Sequence, residues 1–144
     1  MIHCSMAAAG HSVRAGYLYA VMATLARETG ETELADTCRA LFDDITKYKM
    51  YVTGGVGSRS SGEAYSIPYD VPNDKAYTET CASVAMVYFS HQMFLLDRES
   101  RFADVIEREL YNGMLSGLSL SGDKFFYENP LEIHPDNYRK TWDR

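Results

Sequence analysis

Positive charge is in short supply in this 144-residue chain: fourteen Lys and Arg stand against twenty Asp and Glu, a formal net charge of −6. A nucleic-acid-binding patch or a membrane-surface helix needs the opposite balance, so no nucleic-acid or membrane partner is expected. Cysteine is scarce. Its three copies, Cys4, Cys38 and Cys81, are odd in number and form no CxxC pair, which argues against a disulfide framework and leaves reduced thiols or a single metal ligand. No apolar run reaches the roughly 20 residues that span a bilayer. The longest uncharged stretch, Thr80 to Leu96, is interrupted by Ser83, Ser90, His91 and Gln92 and reads as a buried helix. Between Met1 and Gly10 there is neither a basic n-region nor a long apolar h-region, so no signal peptide is visible and a cytoplasmic location is expected.

What is present is globular: 46% of residues are hydrophobic and 24% charged, in a length that suits one domain. Tyrosine, at eleven copies, is abundant, and its flat face and hydroxyl suit a sugar cleft; composition alone favours the plainer reading of a wet core. Ser12 can cap a helix to about Thr29, with Val13, Tyr17, Val21 and Leu25 at helical spacing and Gly30 as its stop. Leu34, Cys38, Leu41, Phe42, Ile45 and Tyr48 form the stripe of a second helix, and so short a connection makes an αα-hairpin. From Tyr51 to about Lys75, glycines and prolines abolish the periodicity, and a loop of this length inside a domain is usually functional when ordered. Helical pattern returns from about Tyr77 to Leu96 and from Ser100 to Leu115. Leu118–Leu120 and Phe125–Glu128, around the turn Ser121 to Asp123, read as a β-hairpin, and Asn129 to Arg144 is irregular. The helix at Thr80–Leu96 needs more partners than three amphipathic neighbours supply, so the chain is expected to be a piece of a larger domain.

Several residues could carry chemistry. Gly54, Gly55 and Gly57 lack the Lys-Ser/Thr ending of a phosphate loop and any βαβ frame, so they are read as turn and close-approach glycines. Glu79 and Cys81, two apart, point in divergent directions on a regular helix and converge only where the chain is extended. Carboxylate and thiolate are acceptable zinc donors, yet a structural site takes four ligands, and a buried inert Cys fits the spacing equally. Glu63, flanked by Gly62, is either solvated surface or a general acid/base over a pocket. His11 before a helix reads as a capping or packing residue or as a catalytic one. On the fourth helix, Glu109 projects into the apolar arc of Phe102, Val105, Ile106 and Leu110, while Glu107 lies at its edge. A carboxylate on a buried side needs a partner or a cavity.

Taken together, GHSVRAGYLYA (Gly10–Ala20), YVTGGVGS (Tyr51–Ser58), GEAYSIPYDVPND (Gly62–Asp74), AYTETCAS (Ala76–Ser83), ADVIERELYNGMLSGLSLSG (Ala103–Gly122) and FFYENPL (Phe125–Leu131) resemble the β-L-arabinofuranosidases of glycoside hydrolase family 127. The blocks occur in the family's order through nearly the whole chain. The resemblance implies a mainly α fold, part of an (α/α)6 barrel of which this chain supplies about four helices, a long Gly/Pro-rich active-site loop and a small β-hairpin. Residues 1–144 are then a partial catalytic domain, truncated at both ends, of an enzyme that removes terminal L-arabinofuranose from oligosaccharides or glycans with retention. By the same resemblance Glu63 matches the general acid/base, Glu79 and Cys81 match two of four zinc ligands, and His11, Glu107 and Tyr127 match residues lining the sugar subsite. It also implies that the nucleophile, a zinc-bound cysteine, and the last ligand form a Cys-Cys pair outside this chain. The isolated chain is therefore expected to be inactive, to hold zinc weakly and to self-associate through exposed barrel surfaces. The competing readings are a non-hydrolytic sugar-binding or sugar-isomerising helical barrel and a structural helical fragment, neither of which needs a zinc thiolate.

Overall fold

A computed structural model of the chain describes residues 6–132; Cys4 and the tail 133–144 lie outside them. Four α-helices follow in order: α1 (Ser12–Thr29), α2 (Thr32–Tyr48), α3 (Thr80–Asp97) and α4 (Ser100–Arg108). Gly30 closes α1 at φ 71°, its N–H donating to the Ala26 carbonyl, so the chain reverses at once into α2. The loop 49–79 then returns the chain to α3. No helix among the described residues is long and apolar enough to cross a membrane.

Packing decides which faces are buried. α1 lies chiefly against α3, and it does so through small residues: Ala15, Gly16, Ala20, Ala23 and Ala26 are buried. A Cβ on Gly16 would stand 2.8 Å from the Ala85 Cβ, so the backbones of the two helices nearly touch there. The bulky stripe expected to face the core therefore turns outward. Tyr17, Val21 and Leu25 are 44%, 64% and 50% exposed, and Val13 is half-buried. Alanine periodicity, not bulk, sets this contact.

In α2 the expected stripe holds at its centre, with Cys38, Leu41, Phe42 and Ile45 buried, whereas Leu34 and Tyr48 are at its margins. α3 is buried on several sides, as its sequence required: Ala82, Ala85, Met86, Phe89 and Met93 are all out of solvent. Phe42, Phe89 and Phe102 bring α2, α3 and α4 together, with ring centroids 5.7 Å apart for Phe42–Phe89 and 4.8 Å for Phe42–Phe102, both edge-on. Such pairs add about 1 kcal/mol each beyond simple burial.

Two elements differ from expectation. The fourth helix stops being α-helical at Arg108 and widens into a π-helical turn, Glu109–Met114, before a 3-10 turn, Leu115–Gly117. This turn places Glu109 fully inside, as its projection indicated, and Gly113 leaves the room: a Cβ there would collide with the Glu109 Oε2 and lie 2.8 Å from the Ser83 Oγ. The β-hairpin is reduced to one antiparallel bridge, Leu118 with Phe125, and no strand forms among the described residues. The ladder ends because the next carbonyls are used elsewhere: Phe126 and Tyr127 accept bonds from the Thr80 hydroxyl and N–H at the start of α3.

Two outcomes follow from this packing. With Tyr17, Leu18, Val21, Tyr88, Tyr111, Leu120, Phe125 and Phe126 exposed, the 144-residue chain by itself should self-associate or bind a hydrophobic dye. Sedimentation of a compact, dye-silent monomer would contradict that. Burial raises the Glu109 pKa well above its ordinary 4.5, with the Ser83 hydroxyl and Arg108 opposing. A carboxyl whose folded pKa is raised contributes stability that is whole below 4.5 and is lost as pH rises through the raised value. Urea titrations should therefore show Glu109→Gln gaining stability over the parent toward neutral pH and losing that advantage in acid; pH-independent curves for the pair would refute the assignment.

Candidate active site

The site is assembled where α1 and α3 begin. The chain approaching α1 is fixed by a buried ion pair: Asp44 accepts from the Ala8 N–H (2.8 Å) and from Lys49 Nζ (2.7 Å), which also reaches the Ala8 carbonyl. His11 stands at the N-cap position, and Ser12, expected to cap, is instead the first helical residue. The Ser12 N–H and hydroxyl both donate to the carbonyl of Glu63, at 2.8 and 3.0 Å. Glu63 sits in a tight reversal, with Gly62 at φ 76° and Glu63 itself at φ 49°, closed by two bonds between Arg59 and Ala64. The helix start and the loop tip are thus one unit, and their side chains meet.

His11 Nε2 lies 2.7 Å from Glu63 Oε2, and the Tyr77 hydroxyl donates to Glu63 Oε1 at 2.8 Å. Glu63 is about one-third exposed along its side chain, so it is reachable from solvent while both its oxygens are held. Burial and the Glu63 carboxylate raise the Tyr77 phenol pKa well above the ordinary tyrosine range, which keeps it a donor.

Glu79 faces the same space from the other helix. It is the N-cap of α3, extended at φ −62° and ψ 147°, and the helix starts at Thr80, before Cys81 and not after it, so the extended run that would bring the pair to one side is absent. Glu79 is 1% exposed, and neither carboxylate oxygen has a hydrogen bond of good geometry. Burial pushes its pKa up and Glu63 adds to that, whereas the Tyr127 hydroxyl and His11 oppose. One ligand atom from each of His11, Glu63 and Glu79 falls within 4.8 Å of the others. The Tyr127 phenol, pushed up to about 12 chiefly by Glu79, completes this wall, its ring 6.3 Å from that of Tyr77. Cys81 is half-buried on the first turn of α3, its thiol pKa raised by burial and by Glu79.

The structure therefore brings together His11, Glu63, Glu79 and Tyr127, with Cys81 beside Glu79. It does not bring Glu107 to them. Glu107 is exposed on α4 and lines a different hollow with Asp104, Arg108, Tyr111 and Asn112. Sequence reasoning missed Tyr77, which carried no signal except its place two residues before Glu79. It also missed Thr78, whose φ of 33° is rare for a β-branched residue.

Zinc is the metal the resemblance implies, and the donors suit it. A buried carboxylate without a hydrogen bond of good geometry is costly in a bare protein and suits a cation. Among the described residues the side chains close enough to share one are His11, Glu63 and Glu79, and Cys81 is not in that group.

The chain belongs to the β-L-arabinofuranosidase GH127 catalytic-domain family, whose pattern it matches over residues 4–144. It is 46% identical over 127 residues to the non-reducing end β-L-arabinofuranosidase of Bifidobacterium longum subsp. longum, covering 88% of this chain and 19% of that protein. The crystal structure of a GH127 β-L-arabinofuranosidase from Geobacillus stearothermophilus T6 superposes with a TM-score of 0.92 at 48% identity, over 94% of this chain and 21% of the other. A second solved GH127 β-arabinofuranosidase gives 0.84 at 46% identity, over 86% of this chain and 20% of its own. The chain thus spans about a fifth of the length of these relatives.

Gly57 tests how the two halves are held. At φ 79° its carbonyl accepts the Thr78 N–H, and a Cβ would stand 2.6 Å from Ser12 Oγ. Gly57→Ala should lower unfolding free energy by about 2 kcal/mol. An unchanged urea midpoint would show that α1 is not seated on this loop.

Proposed function

We propose that this chain is the acid/base-bearing segment of a retaining glycosidase that removes terminal L-arabinofuranose from an oligosaccharide or glycan. The observation that carries the reading is the grip on Glu63, with Tyr77 on one oxygen and His11 on the other. Because the Tyr77 hydroxyl donates to Oε1, the transferable proton belongs on Oε2, beside His11 Nε2. From there Glu63 protonates the leaving glycosidic oxygen and later, as carboxylate, takes a proton from water. By the resemblance His11 and Tyr127 line the sugar subsite, where an imidazole and a phenol can contact the furanose. A sugar contact by Glu107 rests on the resemblance alone.

Glu79 and Cys81 would hold zinc, the remaining thiolates coming from outside residues 1–144. Zinc, when bound, keeps its thiol ligands ionised at neutral pH and fixes their aim. Cys38 is sealed in the core of α2 and has no route to the site. The retaining scheme proposed here replaces the second carboxylate of ordinary retaining glycosidases with a thiolate.

In a catalytically active protein carrying this chain, Glu63→Gln should depress turnover of an aryl β-L-arabinofuranoside by on the order of 100-fold or more. Its zinc content should be unchanged. Near-parental hydrolysis would remove Glu63 from the mechanism and with it this reading.

A further inference from the structure

We propose that Asn129 is a positioning residue of this site: it holds Thr78 in the left-handed conformation that turns Glu79 toward Glu63 and His11. The inference rests on the acid/base reading above and assigns a role to residues that reading leaves idle.

The backbone from Tyr77 to Thr80 contains the site's sharpest bend. Tyr77 must reach Glu63, Glu79 must face the same space two residues later, and α3 must begin at Thr80. The bend is made at Thr78, at φ 33°, where a β-branched side chain is strained and a free chain would relax. It persists because the segment 126–129 encloses it. The Thr78 hydroxyl donates to the Asn129 carbonyl at 2.6 Å, and Asn129 Nδ2 donates to the Thr78 carbonyl at 3.0 Å and to Thr80 Oγ1 at 3.1 Å. The Asn129 N–H reaches the Tyr77 carbonyl, and the Thr80 N–H and hydroxyl bond the carbonyls of Tyr127 and Phe126. From the other side the Thr78 N–H bonds Gly57.

The space is fitted to this clamp. A Cβ on Gly55 would lie 3.1 Å from Thr78 Cγ2, and one on Gly117 3.0 Å from Asn129 Oδ1. Both partners are therefore seated against glycines, and the two hydrogens of the one planar amide bridge the Thr78 carbonyl and Thr80 Oγ1 from there. Tyr127 belongs to the same segment, so the clamp also sets the phenol that faces Glu79.

The test compares variants of a catalytically active protein carrying this chain, with an aryl β-L-arabinofuranoside as substrate. Asn129→Ala should lower kcat by on the order of 100-fold, with KM altered less than about threefold, because misaim costs the chemical step. Zinc retained against a mild chelator should fall in parallel. Adding Thr78→Gly to Asn129→Ala should restore kcat to within about tenfold of the parent, since glycine adopts positive φ without strain. Asn129→Asp, which keeps the size but sets a charged acceptor oxygen against the Thr78 carbonyl in place of the Nδ2 donor, should resemble Asn129→Ala.

A lowered melting temperature with parental kcat and zinc retention would mean a merely structural clamp and overturns the proposal. So does a double variant no better than Asn129→Ala, or an Asn129→Asp protein with parental kcat. The acid/base reading fails separately: Glu63→Gln decides it, whereas zinc retention and rescue by Thr78→Gly report on the clamp whether or not Glu63 is the acid.

Discussion

The site depends first on two hydrogen bonds that do not involve a catalytic group. The N–H and hydroxyl of Ser12 both end on the carbonyl of Glu63, fifty-one residues away, and tie the start of α1 to the tip of the long loop. With the Tyr65 N–H on the Gly10 carbonyl, that tie sets His11 and Glu63 on one surface. With it, the residue before Ser12 lies against the carboxylate of the residue it holds. Gly57, Gly62 and the reversal at Glu63 exist to bring the loop close enough.

Beside these bonds, several buried polar groups are left over. Both oxygens of Glu79 and of Glu109, and the ring Nδ1 of His11, are buried without a hydrogen bond of good geometry among the described residues. Each such group costs about 1–3 kcal/mol. Phe42, Phe89 and Phe102 pack edge-on with one another, and the Arg101 guanidinium covers the rings of Phe42 and Phe102. Of the left-over polar groups, Glu79 and His11 lie with Glu63 in one cluster that a cation could join, whereas Glu109 is enclosed against Ser83.

Much of this was legible in the residues, and the misses share a cause. The αα-hairpin, the buried α3 and the inward Glu109 follow from local periodicity and glycine placement. The buried face of α1 did not, because the eye follows Val13, Tyr17, Val21 and Leu25 while the close approach to α3 selects Ala15, Gly16 and Ala23. The hairpin failed because Phe126 and Tyr127 lend their carbonyls to Thr80, a competition invisible in the hairpin's own sequence. His11, Glu63, Glu79 and Tyr127 were found through resemblance to a family; spacing left each of them with a bland alternative. Tyr77, Thr78 and Asn129 escaped both routes, since a positive φ at threonine is held by bonds across fifty residues and leaves no local mark.

The near-contact of Gly16 with Ala85 has an evolutionary consequence. It lies five residues into α1 from His11 and six into α3 from Glu79, so the two helices run side by side in the same direction, and each serves as a ruler measured from that contact. Losing or gaining one residue between His11 and Gly16 would swing the imidazole by about 100° around its axis. A change of length at the turn after Thr29 leaves that count intact, whereas one at the opposite end of the same helix does not.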